Sequence, residues 1–169
     1  MKKINNKGFT LIELLASVAL IGILMMVAIP AVTSIINNSR KDTYIDNVKI
    51  HVGNIQKIIA QEDYYVYDEN TVYYFDYRIG QDEKSDKSPF GEWEKAYVVV
   101  TYDGKSHHYY WTGKDSAGWT IDLKTQVQSL TRKDVYDNSD KKITADIKIE
   151  NKDTIIVYKY NEDGTVEEE

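Results

Sequence analysis

Cysteine is absent from the 169 residues, which excludes disulfides, thiol catalysis, cysteine metal sites and lipid attachment at a lipobox. Any exported part of the chain is therefore held by packing alone. Histidine is scarce, with only His51, His107 and His108. His107 and His108 are neighbours on a predicted strand, where consecutive side chains point to opposite faces, so they are unsuited to chelating one metal. No Gly-x-Ser-x-Gly elbow accompanies the serines, no glycine-rich phosphate loop occurs, and carboxylates are too abundant for any pair of them to mark a site. Asp82, Glu83 and Asp86 lack the alternating oxygen ligands and the glycine of a calcium loop. The reading is that the chain is not an enzyme and uses no cofactor and no metal. Positive charge is also short: 21 Lys and Arg stand against 27 Asp and Glu, for a net charge of −6. Three of the lysines (Lys2, Lys3, Lys7) fall in the first eight residues, which carry no acid. The rest of the surface repels phosphate backbones, and no nucleic-acid partner is expected.

What is present in quantity is apolar sequence at the amino end. From Phe9 to Ile36 the chain is aliphatic, interrupted by Thr10, Glu13, Ser17, Gly22 and a few polar residues after Pro30. About 20 apolar residues cross a bilayer core, so this run is long enough to span, and the preceding lysines place its amino end in the cytoplasm. A secretory signal peptide has the same order but closes on small residues of A-x-A type. Here Ala28-Ile29-Pro30-Ala31-Val32 passes instead into helix-compatible sequence. Glu13 is the anomaly, because an acid at a membrane centre costs roughly 2.5–3.5 kcal/mol on insertion scales. It either lies near the cytoplasmic face and snorkels into headgroups, or it has a partner.

Gly8-Phe9-Thr10-Leu11-Ile12-Glu13, after a basic leader and before an apolar helix containing Pro30, resembles the class III signal of type IV prepilins and of the pseudopilins of type II secretion and competence systems. The resemblance implies that a membrane-embedded prepilin peptidase cuts between Gly8 and Phe9 and methylates the new amine of Phe9. It maps the family's glutamate onto Glu13 and its helix proline onto Pro30. Cleavage then supplies a cation four residues from Glu13, and the attraction between the two rises as the dielectric falls. In the family, pairing with a neighbouring subunit's amine sets the axial register of a filament, a role this carries to Glu13, much as one polar residue fixes coiled-coil register. Gly22 and Pro30 are the weak points of the anchor helix, since glycine lowers helix propensity and proline removes a hydrogen bond; a kink at Pro30 is expected.

Beyond the anchor, Ile45, Val48, Val52, Ile55 and Ile59 recur at helical spacing between polar residues, the pattern of an amphipathic helix. Seven segments rich in β-branched and aromatic residues follow: 64–67, 71–79, 96–102, 108–112, 119–123, 143–149 and 154–160. Tyrosine, with 14 residues, suits half-buried strands whose rings pack while their hydroxyls reach water. Asp103-Gly104 predicts a tight hairpin turn, and Asn151-Lys152-Asp153 a second one between 146–150 and 154–160. The stretches 81–89 and 130–142 read as charged loops, and Glu167 to Glu169 as a frayed tail. Trp93, Trp111 and Trp119 are either a patch for sugars or partners or ordinary core residues.

The fold class is α+β: a long N-terminal helix, membrane-spanning in its first half, packed against an antiparallel β-sheet headpiece. The expected divisions are a cleaved leader (1–8), a transmembrane and assembly helix (9–36), its amphipathic continuation (37–62) and a β-rich extracellular headpiece (63–169). The resemblance implies a structural filament subunit serving adhesion, motility or surface association. Its partners would be copies of itself, the prepilin peptidase, a platform protein with its ATPase, and the membrane before assembly. A minor pilin, a secretion or competence pseudopilin, and a non-polymerising membrane-anchored binding protein are the alternatives. The subunit would sit in the cytoplasmic membrane with its amino end inside and then pass to an extracellular filament. The lack of disulfides fits a Gram-positive or anaerobic bacterium.

Overall fold

The computed structural model of the chain describes residues 9–80, 87–121, 123–137, 152–161 and 163–169. These fall into two compact units, one ending at Ser39 and the other Arg40–Glu169. One helix, α1 (Leu11–Ala60), contributes to both.

In the first unit α1 is helical without a break through Gly22 and Pro30. Every described residue of that unit is solvent-exposed, including Leu11, Ile12, Leu14, Leu15 and Met26. This apolar helix, exposed at each of its described residues up to Ser39, has the length and composition to cross a membrane. Two of its hydroxyls bond to the preceding turn, Ser17 Oγ donating to the Glu13 carbonyl (2.7 Å) and Thr33 Oγ1 to that of Ile29 (2.9 Å). Such bonds pair a hydroxyl donor without breaking the helix.

In the second unit the helix is one-sided. Tyr44, Ile45, Val48, His51, Val52, Ile55 and Ile59 are buried, and they form a single core with one face of the sheet. The expected stripe is all here, with Tyr44 and His51 added. Burying each aliphatic member contributes about 1.5–3 kcal/mol. The helix closes in a Schellman pair: Asp63 N–H donates to the Ile58 carbonyl (3.2 Å) and Glu62 N–H to that of Ile59 (3.1 Å). Glu62 holds the left-handed position (φ 61°) that glycine normally fills. Glu62→Gly is therefore expected to stabilise the chain by about 1 kcal/mol, read as a higher melting temperature in detergent.

The sheet has seven strands: β1 (Thr71–Asp76), β2 (Trp93–Tyr102), β3 (His107–Asp115), β4 (Trp119–Ile121), β5 (Val135–Asp137), β6 (Thr154–Tyr160) and β7 (Val166–Glu168). Their order is β5-β4-β3-β2-β1-β6-β7. β2 lies at the centre, and its neighbour β1, paired between β2 and β6, is buried along its whole length. Tyr73 and Phe75 of β1, Val98 and Val100 of β2 and Trp111 of β3 face α1, while Val72, Tyr74 and Val99 form a smaller cluster on the reverse face.

Several expectations are corrected. The sheet is not wholly antiparallel, because β1 and β6 pair in parallel. Residues 64–67 are not a strand; the chain is still leaving the helix there, and Tyr64 packs edge-on against Phe75 and Tyr158. The charged stretch 130–142 contains β5, which pairs with β4 through the buried Val135. The acidic tail is a strand: β7 pairs with β6, Glu169 exchanges backbone hydrogen bonds with Val157 (2.9 and 3.0 Å), and its carboxylate pairs with Lys159. The Asp103-Gly104 turn spans four residues, with Gly104 alone at positive φ (85°). Asp103 Oδ1 accepts the N–H groups of Lys105 (2.9 Å) and Ser106 (2.7 Å). The leader, the segment 143–149, the turn at Asn151 and residues Asp82, Glu83 and Asp86 lie outside the described residues.

Candidate functional site

Thr10 and Glu13 open α1. Thr10 is the residue before the first helical turn, and Glu13 is the third residue within it. Thr10 N–H donates to Glu13 Oε2 (2.9 Å), as does the Thr10 hydroxyl (2.7 Å), while Glu13 N–H donates to Thr10 Oγ1 (3.4 Å). This reciprocal arrangement is a capping box, which satisfies donors that a helix start otherwise leaves bare. The Phe9 nitrogen is a peptide nitrogen, and the Glu13 carboxylate is bonded to Thr10. The signal was in the sequence as Thr-x-x-Glu, though the reading of Glu13 through the Phe9 amine passed over it.

Phe9 stands directly before the capping box, 86% exposed, and Gly8 lies outside the described residues. Gly22 faces open space, where an added Cβ meets nothing within 4 Å. Pro30 lies inside the helix, at the cost of one backbone hydrogen bond.

In the second unit the residues considered for other chemistry make packing and hydrogen-bond contacts. His51 is buried; it stacks on Trp111 (5.4 Å between centroids, 20° between planes) and meets Tyr77 (5.5 Å) and Trp93 (6.0 Å) edge-on. Burial pulls its pKa down to about 4, opposed by a hydrogen bond with the Tyr77 backbone, so the ring is neutral at pH 7. Trp93 and Trp111 are core residues rather than a surface patch, and Trp119 is half-buried, stacked on Phe90 (4.1 Å). His107 and His108 serve separate contacts. His107 Nε2 donates to the Val66 carbonyl (3.0 Å), and His108 bridges Asp103 Oδ2 (2.8 Å) and the Gln126 side chain (3.2 Å). His108 and the Ser106 and Lys105 amides hold the Asp103 carboxyl well below its usual range. Asp115, fully buried, accepts from the Ser88 hydroxyl and from the N–H groups of Ala117 (3.1 Å) and Trp119 (3.0 Å). It thereby ties the 88–91 loop to the β3–β4 turn.

The family model described as the prokaryotic N-terminal methylation motif matches residues 3–29. The amino end thus carries the signature of type IV pilins and pseudopilins, with a helix long and apolar enough to cross a membrane directly after it. No curated protein and no solved structure matches the chain.

Proposed function

We propose that the chain is a structural subunit of a type IV pilus-like filament, held in the cytoplasmic membrane by residues 9–36 until a prepilin peptidase cuts between Gly8 and Phe9. The observation that carries the reading is the methylation motif over residues 3–29 joined to an apolar helix whose described residues are exposed up to Ser39. Such a helix needs lipid first and other helices later, and a filament core of like helices provides the second. Cutting at Gly8 frees the Phe9 amine, and Glu13 then has two claimants: the capping contact with Thr10 and a cationic N-terminus, its own or a neighbour's. The neighbour's amine rewards an incoming subunit only at the correct axial step. Phe9 and Glu13 are the assembly residues, with Gly22 and Pro30 as the points where the helix yields.

Processing is tested with Gly8→Leu in cells that express a prepilin peptidase. The unaltered chain is expected to lose residues 1–8 and the variant to keep them in the membrane fraction. Equal trimming of both would overturn the assignment of the cleavage site. The alternative of a minor pilin or pseudopilin shares this chemistry and differs in abundance.

A further inference from the structure

The second unit carries a cationic and aromatic cluster that no step of processing or polymerisation uses. Arg40 lies over the Phe90 ring (5.9 Å to its centroid), and Lys41 lies over Trp119 (5.3 Å). These two rings are the stacked pair described above. Lys41 Nζ also donates to the Arg132 carbonyl (3.4 Å), and Arg132 forms a two-toothed pair with Asp42 (2.5 and 2.6 Å). Lys133, exposed, follows directly. Arg40, Lys41 and Arg132 are thus brought together, with Lys133 next in sequence, and one carboxylate, that of Asp42, pairs with Arg132, on a chain whose net charge is −6. Two of the four come from a segment some ninety positions further along the chain (|i−j| = 91 for Lys41 and Arg132), so the fold assembles the cluster.

From this we infer that Arg40, Lys41, Arg132 and Lys133, with Trp119 and Phe90, form a collar that docks the second unit on anionic phospholipid headgroups while the subunit waits in the membrane. The inference rests on the reading that residues 9–36 span the bilayer. At about 1.5 Å per residue those residues cover roughly 42 Å, close to the ~40–45 Å of a bilayer with its headgroups. Arg40 comes four residues after Ile36, so even a fully extended chain keeps it within about 14 Å of the end of that run. Lysine and arginine beside tryptophan is the composition that settles at a membrane surface, the cations drawn to anionic headgroups and the indole to the interface. Docking would hold the headpiece against the surface and release it when the helix leaves the lipid.

The full chain, reconstituted in vesicles, provides the test. One set is phosphatidylcholine alone and the other contains phosphatidylglycerol; both carry a headgroup-level nitroxide lipid that quenches nearby tryptophan. Trp93 and Trp111 are buried, so quenching reports Trp119. Each cation near an anionic surface is worth about fivefold in the docking equilibrium. Quenching is expected to be stronger with phosphatidylglycerol, to fall in high salt, and to fall roughly twenty-fivefold in apparent docking constant for the double variant Arg40→Gln, Lys133→Gln, with an unchanged melting temperature. Vesicle flotation separates the two readings. Protein that floats but is quenched equally in both lipids overturns the collar alone, as does quenching that follows protein density rather than lipid charge, which would assign the cluster to a second copy. Protein that fails to float overturns the membrane reading and the collar together.

Discussion

Glu13→Val is expected to reach the membrane and lose its leader normally, yet to enter filaments roughly a hundredfold less than the unaltered chain, scored by immunoblot of sheared filaments. The size follows from removing one partner of a charge pair in a dry environment, which leaves the Phe9 ammonium ion buried without compensation. Insertion should be undisturbed, because valine only makes the helix more apolar. Glu13 has a second role in the capping box with Thr10, and valine removes that too. Glu13→Gln separates the two. Glutamine serves in a capping box about as well as glutamate but carries no charge. If assembly depends on charge pairing, the glutamine variant fails with the valine one; if it depends on the helix start, glutamine restores it. Normal incorporation of Glu13→Val would contradict both roles.

The second large effect is a loss of stability in mild acid that originates at His51. Its ring is neutral in the folded chain with a pKa near 4, against 6.5 for the free side chain. Between those values the unfolded chain takes up a proton that the folded one cannot, so stability falls as pH drops from about 6.5 towards 4 and this contribution is constant outside that window. The full change is about 3 kcal/mol at 1.36 kcal/mol per pH unit. The carboxylates Asp42, Asp68, Asp103 and Asp134 are held below their usual pKa by Arg132, Asn70, His108 and Thr131 respectively. Depressed carboxylates are lost in a lower window, beneath about pH 4, so they do not mask His51. Melting of the full chain in detergent at pH 7.5, 5.5 and 4.5 should show the fall. His51→Gln, which keeps a donor towards Tyr77 without titrating, should flatten it; an equal fall in the variant would place the proton elsewhere.

The amino end was legible in the sequence because its physics is local. A mostly apolar run over residues 9–36 predicts a long exposed apolar helix, and the spacing of Ile45, Val48, Val52, Ile55 and Ile59 defines the face that packs. β6 was legible to the residue, being a β-branched and aromatic run. The short strands were not. β5 and β7 are three residues each in charged sequence, and their pairing is decided by β4 and β6 rather than by their own composition. The parallel register of β1 with β6 joins strands far apart in the chain, which no local pattern encodes. Tyr64 to Tyr67 misled for the opposite reason: tyrosine suits strands, but Tyr64 is used as a packing residue where the helix ends. At the candidate site the motif was plain, while the Thr10–Glu13 contact shows that the same carboxylate caps the start of the helix.

Mass spectrometry of the N-terminal peptide from filaments sheared off native cells is the most direct measurement. A peptide beginning at methylated Phe9 is the expected result, and its amount relative to other subunits distinguishes a major from a minor component. A peptide that begins at Met1, or one that begins beyond Ala31 so that the anchor is missing, would contradict assembly through the Phe9–Glu13 helix.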